Sequence, residues 1–439
     1  MDKCAVKNNV SKSDSNSSRL TSSSDESLYS TRTMPSRGKY SENRLDIICL
    51  SHLRWDFVYQ RPQHLLSRCA REQRVFFVEE PIFGASNPYL DLSRRDKNLW
   101  VVVPQLPHGL TEAEVIALQQ SLLIDHLFLE NTITDYILWY YTPMAMPFTR
   151  HLEPVAIIYD CMDELSSFKN APYALKQYEA ELFERADLVL TGGFSLYEAK
   201  QHLHPNVHPF PSSIDVSHFG KARRVIETSW DQVAIPRPRL GFCGVIDERM
   251  NLDLLAGVAD ARPEWQLVLV GPVVKIDPEE LPYRENIHYL GGKSYQELPA
   301  YLSGWDIAML PFAHNESTKY ISPTKTPEYL AAGLPTVSTS IQDVVRPWGR
   351  QKLVQIADTT DEFIGAIEYL MGPTFNYSKW LRRVDEALSF NSWDRTWARV
   401  MNLLNATVSD RYPDLVTTKF SSLVAGQTDV TSVSPLTNS

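Results

Sequence analysis

Short apolar runs and longer amphipathic stretches alternate along the first half of the chain. Short apolar runs bounded by polar loops are typical of buried strands, and apolar residues spaced three or four apart are typical of helices. The strands predicted in this way cover residues 45–50, 74–79, 99–103, 136–140, 155–159 and 188–191, and the helices cover residues 61–71, 111–130, 174–186 and 195–202. Strands that alternate with helices indicate a parallel sheet covered on both faces.

The alternation restarts after a polar segment, residues 216–239, which contains two prolines and has no clear periodicity. The strands predicted in this second half cover residues 240–244, 265–270, 286–290, 307–310 and 335–338, and the helices cover residues 252–261, 294–302, 360–371 and 392–404. We therefore predict an α/β protein with two domains, residues 43–215 and 240–390, joined by a linker at 216–239. A helix within residues 391–411 follows, and residues 1–42 and 412–439 are predicted to be disordered tails.

Composition narrows the class of protein. The net charge of -10 over 439 residues argues against a general nucleic-acid binder, which would present a basic face. Five cysteines lie far apart with no CxxC pair, which predicts free thiols in a reducing compartment without disulfides or a zinc site. No apolar run is long enough for a membrane span and no secretory signal pattern is present, so we expect a cytoplasmic protein. Work at the inner face of a membrane is compatible with this expectation.

The most informative segment covers residues 322–339. A polar, proline-interrupted loop enters a short helix, which Gly333 ends before an apolar strand. Unpaired backbone N–H groups and the helix dipole form an anion site at such an entrance, and phosphate is its usual ligand. Glu328 can accept hydrogen bonds from a ribose diol, and Lys325 adds positive charge. The alternative is an ordinary capped helix. The predicted contact residues of this loop are Ser322, Pro323, Thr324, Thr326 and Glu328.

A second motif, residues 241–249, follows the first strand of the second half. Glycines such as Gly244 at a strand-to-helix turn allow the backbone to approach a pyrophosphate closely. Arg249 can add charge-assisted hydrogen bonds to the same group. A tight turn with solvated charges is the alternative. The two motifs together predict a phosphate site in the second half.

Two motifs in the first half of the chain contain further candidate site residues, which would lie opposite the phosphate site of the second half. Arg54, Trp55 and Arg61 lie between the first strand and the first helix, where the arginines can hold an anionic group and the indole can stack on a sugar ring. The alternative places Trp55 in the core and pairs Arg61 with a nearby acid. Residues 160–164 hold three carboxylates directly after a strand, where Asp160 or Asp163 can act as a base or orient hydroxyl groups. Metal binding and helix capping are the alternatives for this cluster.

Taken together, the sequence motifs of this chain resemble those of GT-B glycosyltransferases of the retaining family-4 type, and more distantly those of the teichuronic-acid-type enzymes. The matching strings are WDFVYQRPQ at 55–63, YDCMD at 159–163, GVIDER at 244–249 and the loop at 322–328. The resemblance implies two Rossmann-like domains facing across a cleft, with a nucleotide-diphosphate sugar held by the second domain and the acceptor by the first. It assigns Glu328 to the donor ribose as the second acid of a Glu-x7-Glu motif. The first acid's position is Tyr320, and Asn315 or Glu316 are the substitutes we considered.

The function we expect is transfer of a sugar to a hydroxyl acceptor, either a sugar or a lipid-linked one, in cell-surface polysaccharide or glycolipid synthesis. Asp160, Arg249 and Lys325 are the predicted catalytic residues, where Asp160 replaces a histidine of the resembling family and the two cations stabilise the departing diphosphate. Gly244 joins the donor-binding loop, and Arg54, Trp55, Arg61 and Asp163 form the acceptor side. We expect no cofactor, no essential metal and no nucleic-acid partner. The alternatives are a GT-B nucleotide-sugar epimerase or hydrolase, and a non-catalytic nucleotide-sugar-binding scaffold subunit.

Overall fold

A computed structural model describes residues 45–224 and 229–411 of the chain. The tails predicted at 1–42 and 412–439 lie outside the described residues. Two sheets are present in the described ranges, the first built before residue 210 and the second after residue 238.

The first sheet contains nine strands within residues 45–224, in the order β3-β5-β2-β1-β6-β7-β8-β9 with β4 on the outer side of β5. All pairs are parallel except β4 with β5. The strands are β1 (Asp46–Ser51), β2 (Val75–Glu79), β3 (Ile82–Phe83), β4 (Tyr89–Asp96), β5 (Leu99–Leu106), β6 (Tyr136–Tyr140), β7 (Ala156–Cys161), β8 (Leu188–Thr191) and β9 (Val207–Pro209). The helices are α1 (Arg61–Cys69), α2 (Glu112–Ser121), α3 (Met146–Thr149), α4 (Leu175–Arg185), α5 (Phe194–Lys200) and α6 (Val216–Phe219).

The second sheet contains six parallel strands within residues 229–411, in the order β12-β11-β10-β13-β14-β15. This is the doubly wound order of nucleotide-binding α/β folds. The strands are β10 (Arg239–Cys243), β11 (Gln266–Val270), β12 (Ile287–Tyr289), β13 (Ile307–Leu310), β14 (Thr336–Ser338) and β15 (Val354–Ile356). The helices are α7 (Leu252–Ala261), α8 (Leu298–Leu302), α9 (Lys325–Ala331), α10 (Gln342–Val344), α11 (Thr360–Met371), α12 (Tyr377–Leu388) and α13 (Trp393–Arg411).

The last helix returns to the first sheet. Val400 and Leu404 of α13 are buried in the same apolar cluster as Ile47 of β1. Arg68 of α1 pairs with Asp394 of α13 at 3.0 Å. Burial of this apolar face stabilises the first half with residues from the far end of the described sequence.

Several elements differ from the prediction. Strand β4 is not predicted, because four of its eight residues are charged and it lacks an apolar run. Its antiparallel pairing with β5 supplies the backbone hydrogen bonds, and most of its side chains remain exposed. Strand β15 and helix α12 are also not predicted. The predicted linker contains α6, whose first turn is capped by the Asp215 carboxylate accepting from His218 N at 3.0 Å. The predicted helix over 111–130 continues beyond α2 as a wider π-helical turn at Leu122–Phe128.

Candidate active site

The strand order of each sheet reverses beside its first strand. Strand β1 lies between β2 and β6, and strand β10 lies between β11 and β13. At such a position the connections leave two neighbouring strands in opposite directions and open a crevice beyond the carboxyl ends of the strands. Most of the predicted site residues lie in the loops that follow β1, β7, β10 and β13, so the topology brings the motifs to these crevices.

Two glycines bring the loops after β10 and β11 into backbone contact. Gly244 N donates a hydrogen bond to Val270 O at 2.9 Å. Gly271 has a φ of +151°, and a Cβ added to it would lie 1.7 Å from Gly244 O. Only glycine fits this approach. The predicted donor residue Gly244 therefore belongs to one continuous wall formed by both loops.

Arg249 lies at the boundary between the two halves of the molecule. Its Nε and Nη2 donate to the Asp247 carboxylate at 2.9 and 2.7 Å, so its charge is balanced within its own loop. Ala313 N donates to Arg249 O at 2.8 Å and joins this loop to the one after β13. The guanidinium carbon lies 5.6 Å from the ring centroid of Phe168, which comes from the loop after β7 of the first sheet. Contacts from both halves thus hold Arg249 in place.

Lys325 and Glu328 lie in the first turn of α9 and pair with each other at 2.6 Å. Burial raises the pKa of Glu328, and the positive charge of Lys325 opposes that rise. Cys243 N donates to the Tyr329 hydroxyl at 2.7 Å, which attaches α9 to the end of β10. Glu328 therefore lies next to the crevice of the second sheet. The helix has only seven residues, so the main positive charge here is Lys325 rather than the helix dipole.

The other predicted residues of the donor loop take separate positions. Ser322 and Pro323 line a 280 Å³ cavity together with Asp343. Thr324 is the residue before α9. Thr326 is fully buried, and its hydroxyl has no hydrogen-bond partner among the residues that the structure describes. The loop therefore divides its residues between the cavity with Asp343 and the interior beside α9.

Asp343 of α10 joins the second half of the molecule to the first. Its carboxylate accepts hydrogen bonds from Phe194 N at 2.8 Å and Ser195 N at 2.9 Å, at the start of α5. A Cβ on Gly193 would lie 2.1 Å from Asp343 Oδ2, so glycine is required at this approach. A carboxylate of one half thus caps a helix of the other half.

Arg61 and Asp160 form a buried ion pair. Arg61 Nε donates to the two carboxylate oxygens of Asp160 at 2.9 and 3.1 Å, and Arg61 Nη1 donates to Phe210 O at 2.6 Å. The side chains are 1% and 0% exposed. Both groups are buried and paired with each other, so in this structure neither is available for its predicted role, Arg61 at an acceptor and Asp160 at the reacting atoms. The observed geometry matches the alternative given from the sequence, in which Arg61 pairs with a nearby acid. Sequence position alone could not tell which carboxylate of residues 160–164 turns inward.

Asp163 is the carboxylate of this cluster that faces the second half. Burial raises its pKa to about 6, and the positive charges of Arg249, Arg61 and Lys275 act against the rise. Glu164 is held by Lys200 at 2.7 Å. Across residues 45–224 and 229–411, no group of three or more His, Cys, Asp or Glu side chains is arranged to hold a metal ion. Of the three carboxylates, Asp163 is the one on which the positive charges of Arg249 and Lys275 from the second half act.

Glu79 organises the loop after β1. Its carboxylate accepts from Arg54 Nη1 and from Trp55 N, each at 2.8 Å. The Trp55 ring packs edge-on against Phe77, with 5.0 Å between centroids, and is partly buried. Arg54 and Trp55, two of the predicted acceptor-side residues, are therefore already engaged in contacts within the protein. Beside them lies a 310 Å³ pocket at the carboxyl edge of the first sheet, lined in part by Leu50, Ser51, Val78, Glu79, Phe83 and Thr142.

The loop after β13 carries the residues considered as substitutes for the missing first acid. Asn315 Nδ2 donates to Glu248 O at 2.9 Å, and Asn315 Oδ1 accepts from Ser317 at 2.6 Å. Glu316 is exposed and lines a 600 Å³ pocket with Asn315 and Asp247. Glu316 therefore keeps an accessible carboxylate, whereas Asn315 holds the loop in place.

Three residues of the cleft were missed by sequence reasoning. Phe168 contacts Arg249 and lies 5.2 Å from Lys275 Nζ, measured to the ring centroid. His52 follows β1, and burial lowers its pKa to about 4. Lys275 lies in the loop after β11, shortly after the Gly271-Pro272 turn. No sequence pattern marks Phe168 or His52.

Residues 237–372 match the family model described as "Glycosyl transferases group 1". This range contains the whole second sheet with Arg249, Lys325 and Glu328. Over 241 residues the chain is 25% identical to TuaH of Bacillus subtilis (strain 168), which is provisionally named a teichuronic acid biosynthesis glycosyltransferase. The match covers 49% of this chain and 58% of TuaH, so the chain spans little more than half the length of that relative.

Solved structures share the architecture at low identity. Sucrose-phosphate synthase from Thermosynechococcus elongatus has a TM-score of 0.64 at 13% identity and covers 84% of this chain and 100% of its own. A UDP-forming α,α-trehalose-phosphate synthase from Burkholderia xenovorans has a TM-score of 0.60 at 11% identity, covering 82% and 98%. An E. coli trehalose-6-phosphate structure bound with UDP-2-fluoro glucose has a TM-score of 0.58 at 11% identity, covering 82% and 98%.

The fold is therefore that of a GT-B protein with two Rossmann-like domains. The match to the glycosyl transferases group 1 model is confined to residues 237–372, which contain the second sheet. The predicted fold class and family resemblance are confirmed.

Proposed function

We propose that this protein transfers a sugar from a nucleotide-diphosphate sugar to a hydroxyl acceptor. The observation that carries the proposal is the packing of Arg249 from the second sheet on Phe168 from the first, with Asp163 near enough for the charge of Arg249 to act on its pKa. A cation at the carboxyl end of a nucleotide-binding sheet suits a leaving diphosphate, and a carboxylate opposite suits an acceptor hydroxyl. The group 1 match and the UDP-forming relative support the same chemistry.

The transfer divides between the two halves. The bond from the anomeric carbon to the diphosphate oxygen breaks, and its electron pair leaves with the diphosphate, where Arg249 and Lys325 stabilise the charge. The acceptor oxygen forms the new bond to the anomeric carbon and gives its proton to the departing diphosphate. Asp163 orients that hydroxyl by accepting its hydrogen bond. Retention of configuration is part of the proposal and rests on the family resemblance.

Donor binding falls to the second half. Glu328 accepts hydrogen bonds from the ribose, and Gly244 lets the diphosphate approach the backbone. Glu316, accessible in the 600 Å³ pocket, is the carboxylate available to the transferred sugar. The acceptor enters from the first half, where the 310 Å³ pocket lies at the carboxyl edge of the sheet.

Contact with a membrane surface completes the proposal for a lipid-linked acceptor. Exposed apolar residues Ile82, Phe83 and Tyr89 lie near that pocket, at the edge of the first sheet. Within the described residues, no helix combines the length and apolarity that crossing a bilayer needs. Co-sedimentation with anionic phospholipid vesicles tests the contact, and equal recovery in the supernatant with and without vesicles would contradict it.

A panel of nucleotide-diphosphate sugars tests the function. Thermal stabilisation identifies the bound donor, because a ligand raises the stability of the state that binds it. Release of the nucleoside diphosphate is then measured with and without a mixture of sugar and lipid-linked acceptors. Acceptor-dependent release supports transfer. Release that does not depend on acceptor favours the epimerase or hydrolase alternative, and stabilisation without turnover favours the scaffold alternative.

A further inference from the structure

Lys275 is a cation of the donor site whose charge is not balanced by an ion pair among the described residues. Arg249 is paired with Asp247 and Lys325 with Glu328, each by less than 3 Å. Within residues 45–224 and 229–411, no carboxylate oxygen lies within 4.0 Å of Lys275 Nζ. A diphosphate that departs with an extra electron pair needs positive charge that the protein has not already neutralised.

Lys275 is placed for that task by its loop. It follows β11, whose loop forms one wall with the glycine turn after β10. The lysine has a φ of +61°, a conformation uncommon for residues other than glycine and one that clusters at functional sites. The loop around Lys275 therefore fixes this uncommon backbone conformation, and with it the direction in which the side chain leaves the backbone.

Contacts across the cleft indicate where the ammonium group lies. Nζ of Lys275 is 5.2 Å from the ring centroid of Phe168, on which the Arg249 guanidinium also packs at 5.6 Å. The two cations thus share one aromatic ring of the opposite half. The positive charge of Lys275 also acts on Asp163 and His52, both in loops of the first sheet.

We propose that Lys275 contacts the diphosphate of the bound donor and is a catalytic residue, with Phe168 as the residue that positions its ammonium beside Arg249. This inference rests on the proposed function. Lys275 supplies net positive charge, whereas Arg249, already balanced by Asp247, supplies directed hydrogen bonds.

The alternative is that Lys275 merely packs on Phe168 and holds the two halves together. That alternative predicts that substitution of Lys275 lowers the stability of the protein without changing its preference for a nucleoside diphosphate over the monophosphate. The variants that separate the two are Lys275→Met, which keeps the aliphatic stem, Lys275→Arg, which keeps the charge, and Phe168→Leu. Lys352→Met is a matched control, because Lys352 is exposed, has a φ of +54° and lies before β15 rather than after a strand.

The first readout is binding of UDP against UMP, GDP against GMP and ADP against AMP to the full chain by calorimetry. We expect the wild-type protein to bind the nucleoside diphosphate that carries the base of its donor more tightly than the corresponding monophosphate. Lys275→Met lowers that preference by about tenfold, the loss expected for a charged hydrogen bond, while Lys275→Arg and Lys352→Met retain it. Phe168→Leu lowers it by a smaller factor.

The second readout is turnover with the donor identified by the panel. Lys275→Met lowers kcat more than it raises KM, because the charge on the leaving group develops in the transition state. If Lys275→Met keeps the wild-type diphosphate preference and kcat, the inference is overturned. It is also overturned if Lys275→Arg fails to restore the preference. If wild type binds no nucleoside diphosphate at all, the proposed function itself fails.

Discussion

Arg61 donates two hydrogen bonds to the carboxylate of Asp160 with both side chains fully buried, and so joins the first helix to the end of β7. The pair lies directly behind the loop that carries Asp163 and Phe168. We expect the pair to hold the start of that loop in place, because the loop begins just after Asp160 at the end of β7. The next residues after it are the ones that meet the second half.

Breaking this pair will destabilise the protein. Arg61→Met leaves an uncompensated buried carboxylate, and we expect a loss of about 3–5 kcal/mol in the free energy of unfolding. Urea unfolding measures the loss. In the double variant Arg61→Met with Asp160→Asn the cost is smaller than the sum of the two single costs, since no unpaired charge remains. Additive costs would show that the two groups do not depend on each other.

Glu328→Ala weakens donor binding. The variant removes the proposed hydrogen bonds to the ribose, which are worth about 1.5–3 kcal/mol for a charged acceptor, so the Kd for the donor rises by about tenfold or more. Calorimetry with the donor identified by thermal shift measures the change. Glu368→Gln, an exposed carboxylate of α11 that pairs with Arg262, is the control with unchanged binding. Wild-type affinity in Glu328→Ala would remove Glu328 from the site.

Arg249→Met lowers the rate of the chemical step. Loss of a preorganised donor to the leaving group costs about 10²–10³ in kcat. We expect a smaller change in KM, because the interaction strengthens as charge develops on the diphosphate. Steady-state kinetics with saturating acceptor separate the two parameters. An effect on KM alone would assign Arg249 to ground-state binding.

Asp163 gives the protein a pH-dependent stability of defined sign. Its pKa is about 6 in the folded protein and 3.8 for the ordinary group. Between about pH 4 and pH 6 the folded state binds more protons than the unfolded state, so this group's contribution to stability falls as pH rises. Asp163→Asn cannot ionise, and its Tm relative to wild type therefore rises across this window. Thermal unfolding of both proteins across the window measures the difference, and a constant difference would contradict the raised pKa.

Asp343→Ala loosens the contact between the two halves. The carboxylate accepts two backbone N–H groups at the start of α5, and loss of such a cap costs about 0.5–2 kcal/mol. We expect faster amide exchange at Phe194 and Ser195, measured by mass spectrometry. Asp277→Ala is the matched control, because Asp277 caps a short turn within the second half only. Unchanged exchange at α5 would show that Asp343 does not hold this contact.

Local pattern was enough to locate many elements. The bounds of β6, β8 and β13, and of α7 and α11, are those expected from their apolar runs and periodicity. Burial on both faces of a parallel strand produces a continuous apolar run, and such a run is visible in the sequence without knowledge of the fold. Strand β4 was invisible for the converse reason, since an exposed edge strand is stabilised by its partner and not by its own composition.

The sequence by itself determined the class: two α/β halves, a glycine turn that suits a phosphate, and Glu328 with Lys325 in one helical turn. It could not say which charges are already balanced or which carboxylate turns inward, because these depend on neighbours far apart in the chain. Only the tertiary structure buried Asp160 against Arg61, 99 residues away, left Asp163 facing Arg249, and set Phe168 against Lys275. The physical reason is that electrostatic energy depends on distance and burial, and folding decides both.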